Sequence, residues 1–382
     1  MSEHQFVHFL ALDRPLDDAA MEFMHKQSSR AEITKWEFTN EYHYGDFRGN
    51  AQEMLRRGYD VHLHYANFGI RKLMVRLTGG MPCDKALLKA YLVKHSVEWH
   101  ADKTSSGGIL EIQPDADAGT YDYLEDGELL NEIAPIRDLL AEGDLRPLYL
   151  AWLACAGDDE GLEPPVPAGL DKLSPALVAM AEFYELDEGL LEAAAETSPA
   201  LPKRANDDQR IKKWVGQQSA AALKELVPRL LASDAATART ETLAIIRGEA
   251  GSVAWPTAEP SRTLGDLREA AEMIEAGYAQ TALLAKEQAH RKQMADIAAH
   301  PDKLLARVEQ LVQEQSTHSY GQAAQELVHL REALGPEQGP AQAQAAAEML
   351  KKKYPTRKTL ISALKKHGLL PTTKSPRRGK GD

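Results

Sequence analysis

Cysteine is nearly absent from this sequence, which has only Cys83 and Cys155 in 382 residues. A disulfide-stabilised scaffold needs several cysteines, and a cysteine-ligated zinc finger needs them at short fixed spacings, so both classes are excluded. We expect each thiol to be a small buried hydrophobe in a reducing compartment.

Long apolar runs and common catalytic signatures are also missing. No stretch of roughly 18 uninterrupted apolar residues occurs, so the sequence predicts a soluble protein without a membrane-spanning helix. Residues 1–6 lack the basic and apolar regions typical of a signal peptide, and we therefore expect a cytoplasmic protein. The glycine pairs at 79–80 and 107–108 are not followed by a GK[ST] motif, and no GxSxG occurs, which disfavours a nucleotide cradle and a serine hydrolase.

Charge is distributed unevenly along the chain. The net charge is −12, but residues 351–382 contain eleven Lys and Arg against one Asp, so the preceding 350 residues carry −22. An acidic body with a basic end predicts either binding to a polyanion such as nucleic acid or neutralisation of the chain's own acidic surface. The candidate polyanion-binding residues are Lys351, Lys352, Lys353, Arg357, Lys358, Lys365, Lys366, Arg377 and Arg378.

Hydrophobic periodicity predicts a compact α+β domain over residues 1–125. Alternating apolar and polar residues predict strands, and apolar residues three or four positions apart predict helices. The predicted strands are 5–12, 33–40, 59–68, 71–77, 92–99 and 108–113, and the predicted helices are 15–28 and 51–58.

From Leu129 onward the period is helical, which predicts a mostly α-helical second half, either a bundle or a helical repeat. We expect one helical domain at 126–247, a linker at 248–262 and a second helical domain at 263–370. Three prolines within 162–169 predict an extended crossover. Residues 371–382 are basic and poor in apolar side chains, so we expect a disordered tail.

Two histidines form the most enzyme-like pattern. His62 and His64 are two positions apart on a predicted strand, so their imidazoles face the same side, as metal ligands would. The residues that would complete a metal site are His43, Asp46, Glu98 and His100. In the competing interpretation the two histidines form the solvated face of a strand whose other face is apolar.

The loop at 40–50 is the second candidate site. It combines aromatic, acidic and basic side chains with two glycines, a composition typical of ligand-recognition loops. Its candidate ligand-binding residues are Tyr42, His43, Tyr44, Asp46 and Arg48. The alternative is a structural loop in which Gly45 and Gly49 take positive φ and the tyrosines pack on the sheet.

Several segments of the first half resemble a widespread family of uncharacterised bacterial proteins. The matching segments are SRAEIT (29–34), NEYHYGDFRG (40–49), ANFGIR (66–71), GDLRPLYLAW (143–152) and LEPPVP (162–167). We know of no activity assigned to that family, so the resemblance implies a shared fold and no reaction.

The end of the chain resembles the helical segment that closes many bacterial SWIM zinc-finger proteins. The resemblance is carried by YGQAA (320–324), Leu327, Leu330, Arg331 and YPTRKTLISALKKHGL (354–369). The zinc-binding CxC and CxH of SWIM proteins are absent, so the resemblance implies a helical-repeat scaffold near nucleic acid and no zinc chemistry.

These patterns support three hypotheses. The leading one is a non-catalytic interaction or scaffold protein that binds a protein or ligand through the loop at 40–50 and the helical half. The second is a metal-dependent hydrolase that uses His43, His62 and His64. The third is a nucleic-acid-associated protein that acts through its basic end. No cofactor is predicted apart from the divalent metal of the second hypothesis.

Overall fold

The computed structural model describes residues 4–43, 46–115, 128–158, 160–201, 207–231, 242, 245–246 and 255–371. It confirms the predicted fold class, because a seven-stranded antiparallel sheet is followed by a mostly helical C-terminal half. The chain divides into two compact units, residues 1–275 and 276–382. Within the described residues, no helix is both long and apolar enough to cross a membrane.

The sheet has the order β2-β3-β1-β4-β5-β7-β6, and all neighbouring strands are antiparallel. The strands are β1 Gln5–Leu10, β2 Glu32–Ile33, β3 Glu37–Tyr42, β4 Val61–Ala66, β5 Ile70–Leu77, β6 Val97–Ala101 and β7 Gly108–Ile112. Successive side chains point to opposite faces of a strand, so each strand contributes to two different surfaces.

Three short helices belong to the same region: α1 Asp18–Gln27, α2 Ala51–Arg57 and α3 Lys85–Tyr91. Each begins after an Asp or Asn whose side chain accepts a hydrogen bond from a backbone N–H three residues later. The sequence predicted α1 and α2 but not α3. The β6 strand begins at Val97 rather than Leu92, because His95 takes φ 69° and turns the chain after α3.

Both faces of the sheet carry an apolar core. On the first face, Leu63, Leu73 and Val75 pack against the helices that follow the sheet in sequence. On the second face, Phe9 and Phe38 are among the residues that pack against α1 and α2. The second face is therefore covered by two short helices only, which leaves part of it open.

The helices that cover the first face are short and apolar. They are α4 Leu129–Ile133, α5 Ile136–Ala141, α6 Arg146–Cys155, α7 Pro175–Phe183 and α8 Glu188–Ala195, followed in the chain by α9 Asp207–Gln217 and α10 Ala220–Leu231. Pro135 separates α4 from α5, as its missing N–H predicts.

A small two-stranded sheet joins distant parts of the first unit. β8 Val166–Pro167 lies in the extended crossover, and β9 Thr257–Ala258 lies in the segment predicted as a linker. The two strands pair antiparallel, with Val166 opposite Ala258. The segment before Leu264 is thereby fixed to the body of the unit.

The last helices are α11 Leu264–Ala299, α12 Pro301–Gln313, α13 Thr317–Ala333, α14 Gly335–Lys353 and α15 Lys358–Lys366. In the second unit α13 packs against α12, α14 and α15. The core includes residues that carry the resemblance to SWIM proteins: Tyr320, Ala323, Ala324, Leu327, Leu330, Leu360, Leu364 and Leu369. These positions hold the helices together. From residue 372 the predicted disordered tail lies outside the described residues.

Candidate functional site

A groove of about 720 Å³ opens on the second face of the sheet, beside α2. Residues 47–52 form one wall, at the loop that leads into α2. The floor comes from alternate residues of β4, β5 and β7, namely His62, His64, Ile70, Lys72, Met74 and Glu111. Antiparallel pairing places His62 opposite Met74 and His64 opposite Lys72, so the two polar residues lie side by side.

Glu111 is the centre of a hydrogen-bonded cluster on the groove floor. Its carboxylate lies 2.7 Å from Lys72 Nζ and accepts hydrogen bonds from Gln52 Nε2 and His100 Nε2, each at 3.0 Å. Burial acts to raise the pKa of Glu111, but the hydrogen bonds and charge of Lys72 outweigh it, and the pKa is lowered. The carboxylate is therefore ionised at neutral pH and fixes the Lys72 ammonium at the groove.

His64 is held by a second chain of hydrogen bonds. Its Nε2 lies 3.0 Å from Gln5 Oε1, and Gln5 Nε2 donates to Asp46 Oδ1 at 2.9 Å. An amide oxygen only accepts, so the proton of the neutral imidazole is on Nε2 and Nδ1 carries the lone pair. Burial and the charge of Lys72 lower the pKa of His64 to about 4, so this imidazole is uncharged at neutral pH.

His62 is buried beneath the groove rather than solvated. It is 1% exposed and stacks on Phe9 with ring centroids 3.9 Å apart. Nδ1 donates to the carbonyl of His8 at 3.0 Å, which leaves Nε2 as the acceptor nitrogen. Burial holds the pKa of His62 well below its usual range. The solvated-strand interpretation fails for His62, because this face of β4 packs against α2 and the ring of Phe9.

The residues proposed as metal ligands are not gathered at one point. His62 and His64 have ring centroids 6.3 Å apart. His43 lies beside His4, 5.4 Å between centroids, and His4 alternates with Gln5 and so belongs to the opposite face. Glu98 and His100 are on β6, three strands from β4 and hence about 14 Å away. Among the described residues, no group of three or more His, Cys, Asp or Glu is placed to hold a metal ion.

The loop at 40–50 contributes some residues to the second-face core and others to the groove. Tyr42 packs against the second-face core with Phe47, their ring centroids 6.4 Å apart. Asp46 accepts from Gln5, and Arg48 is exposed on the groove wall without an ion pair to any described residue. Tyr44 lies outside the described residues. Asp46 and Arg48 are thus the candidate ligand-binding residues that the structure places beside the groove.

The polyanion-binding candidates among the described residues lie near the end of α14 and along α15. Lys351, Lys352 and Lys353 are exposed in the last turn of α14, and successive helical residues point about 100° apart, so they do not form one face. Lys353 pairs with Glu309. Arg357 covers the ring of Tyr354 at 4.2 Å, which removes one face of that ring from base stacking.

The remaining basic candidates are on or after α15. Lys358 and Lys366 are exposed and Lys365 is half-buried. Arg377 and Arg378 lie outside the described residues. Lys365 and Lys366 are in the last turn of α15, where cations also stabilise the helix dipole.

A buried ionic network is one feature that the sequence did not predict. Glu163, fully buried, accepts from Arg262 Nε at 3.1 Å and Nη2 at 2.9 Å, and also from the hydroxyl of Tyr149. Nearby in sequence, the Arg146 guanidinium binds both carboxylate oxygens of Asp144, at 3.0 and 2.6 Å. Both arginines also donate to backbone carbonyls. The sequence signal that could have indicated this network is the presence of charged residues within apolar and proline-rich segments.

Neither cysteine is an activated nucleophile. Burial raises the pKa of Cys83 to about 11 and of Cys155 to about 12. Such thiols are protonated at neutral pH and have little nucleophilic character.

No family model, no curated protein and no solved structure matches the chain. The resemblances to uncharacterised bacterial proteins and to the helical segment of SWIM proteins therefore stay predictions.

Proposed function

We propose that this chain is a non-catalytic binding protein whose sheet groove takes a polar ligand or a polar segment of a protein partner. The observation that carries the proposal is the row of His64, Lys72 and Glu111 across the floor of an open groove. Buried Met74 and half-buried Phe47 line the same groove, so the polar row adjoins the apolar core of the second face rather than lying on ordinary surface.

The charges of the groove favour an acidic group on the ligand. Arg48 and Lys72 contribute two cations, whereas Glu111 is the single carboxylate among the described lining residues and already has three hydrogen-bonding partners. Arg48 makes no ion pair with a described residue, so its planar guanidinium has donors available for a carboxylate or phosphate.

Binding is favoured over catalysis by the partners of the two groove histidines. His62 bonds to a backbone carbonyl and His64 bonds to an amide oxygen. Both oxygens are neutral. A catalytic imidazole is typically oriented by a carboxylate that stabilises its charged form. Burial lowers the pKa of both groups, which weakens them as bases.

The test compares two charge reversals in the full chain. Native mass spectrometry of gently purified protein should show a bound mass in the parent chain and in Lys89→Glu, an exposed cation on α3 outside the groove. Arg48→Glu should lose it. Equal occupancy in both variants would contradict the groove as the binding site, and turnover that depends on His62 and His64 would contradict a non-catalytic role.

Binding to nucleic acid is a second candidate function, favoured by the exposed Lys351, Lys352, Lys358 and Lys366. Contact with phosphates predicts retention on a DNA column at low salt that is lost at moderate salt. Replacing these four lysines with glutamine should abolish retention; unchanged retention would rule this role out.

No observation favours the metal-dependent hydrolase. It remains testable by elemental analysis of purified protein, where a tight site predicts about one metal ion per chain.

A further inference from the structure

The middle of α11 is exposed on every side. Every residue from Glu275 to Gln293 is exposed, a length of about 28 Å. The exposed residues of the helix include Met273 at 65%, Leu283 at 57% and Leu284 at 50%. A helix that buries little of its surface is marginal in water, and adjacent exposed leucines are costly to leave uncovered.

A stripe with a large apolar residue at each end runs along this helix. Met273, Ala276, Gln280 and Leu283 follow the alternating 3-4-3 spacing of a coiled-coil seam, and Leu284 flanks the stripe. Gln280 is the polar member of the stripe. A single polar residue in such a seam fixes the register of two helices at some cost in stability.

We propose that this stripe binds the same stripe of a second copy of the chain, in antiparallel orientation. A two-fold axis near residue 278 places Met273 of each copy against Leu283 of the other. It also places Gln280 against Ala276 of the other copy, whose small side chain leaves room for the longer one. The two Gln280 side chains then lie on either side of the axis, where one amide can donate a hydrogen bond to the other.

Charge complementarity selects this occupant and this orientation. Glu272 and Lys286 lie on the same flank of the stripe, 14 residues and thus two heptads apart. In an antiparallel pair, residues of this flank face the same flank of the other copy, so Glu272 meets Lys286 twice. In a parallel pair Lys286 would instead face Arg291 of the other copy, which is repulsive.

An acidic cluster at one end of the stripe would be neutralised by the second copy. Glu275 lies next to Asp187, and the hydrogen bond and charge of that carboxylate raise the pKa of Glu275, with a smaller effect from Glu272. Bringing Lys286 of a second copy to this end of the helix would relieve the repulsion.

The experiment uses the full chain with two single charge reversals, Glu272→Lys and Lys286→Glu, in sedimentation velocity over a concentration series. The parent chain should dimerise reversibly, and each variant alone should dimerise about tenfold more weakly, because both symmetric pairs become repulsive. An equimolar mixture of the two variants should recover dimers, since each flank contact then joins one lysine to one glutamate.

Three outcomes would overturn the proposal. These are a parent chain that stays monomeric at all concentrations, a mixture that recovers nothing, and tighter self-association of Lys286→Glu, which a parallel pair predicts. Leu283→Gln is a further variant, which removes an apolar residue of the stripe. It should weaken the dimer whether it is tested alone or mixed with the parent chain or a charge variant. Circular dichroism of each variant should match the parent, since all three positions are exposed.

Discussion

Two polar networks in the first unit are built from similar residues but differ in how far their carboxylates are exposed to water. The network of Glu163, Tyr149 and Arg262 is sealed: Glu163 is 1% exposed and both of its carboxylate oxygens are hydrogen-bonded. The groove cluster of Lys72 and Glu111 is a comparable ion pair, but it forms the floor of an open cavity.

The difference separates stability from binding. A buried ion pair is costly to break, because removal of one partner leaves an unpaired charge away from water. A pair at the floor of a groove can be rehydrated when one partner is removed, so its loss affects stability much less. We therefore expect variants in the sealed network to change unfolding and variants in the groove to change ligand occupancy.

The largest effect is expected at the sealed network. Arg262→Ala should lower the free energy of unfolding by about 3–5 kcal/mol, because Glu163 keeps a buried charge without its partner. Urea denaturation followed by circular dichroism measures the change. Arg30→Ala, at an exposed arginine of the same unit, should stay within about 0.5 kcal/mol. Equal losses in the two variants would remove the distinction between sealed and open networks.

The next effect is expected in the groove. Lys72→Met removes a cation from the floor and leaves Glu111 with the hydrogen bonds of Gln52 and His100. The unfolding free energy should fall by no more than about 1 kcal/mol, since water can reach the site. Occupancy of the bound mass should fall at least about tenfold, as loss of a charged hydrogen bond implies. A large stability loss with full occupancy would show that the groove pair is structural.

A smaller effect is expected from pH. The folded pKa of His64, about 4, lies below the ordinary value of 6.5. The unfolded chain therefore takes up a proton between these values that the folded chain does not, and stability falls as pH drops from 6.5 towards 4. His64→Gln should reduce the loss between pH 7.5 and 5.8 by about 1 kcal/mol, measured by urea denaturation at the two pH values. His25→Gln, at an exposed histidine, should leave it unchanged.

The smallest stability effect is expected at the basic end of α14. Lys351→Gln and Lys352→Gln should change the unfolding free energy by no more than about 0.5 kcal/mol, because both side chains are exposed and lie outside the core. A larger loss would assign these lysines to the fold rather than to a polyanion.

The sheet was predictable because its strands have local signals. Alternation identified β1, β3, β4, β5 and β7, and it placed His62 and His64 on one face. It did not reveal that this face has its own core, because α1 and α2 cover it through contacts distant in sequence. For the same reason His62 was open to interpretation as solvated.

Features that depend on long-range pairing were missed. The β8–β9 pair joins residues about 90 positions apart, and Arg262 reaches Glu163 over 99 positions. No local pattern encodes such a contact. For α3 a local signal did exist, the cap at Asp84, but residues 85–91 were given no predicted element, and the next predicted strand began at residue 92. The groove itself arises from the incomplete coverage of the second face, a property of the packed structure.

The most direct test of the account measures bound-mass occupancy by native mass spectrometry in the parent chain, Lys72→Met and Arg262→Ala, purified in parallel at low temperature. We predict that Arg262→Ala, although less stable, retains the bound mass while it is folded, and that Lys72→Met, although nearly as stable as the parent, loses it. Loss of the bound mass from Arg262→Ala together with its retention by Lys72→Met would contradict the assignment of binding to the groove.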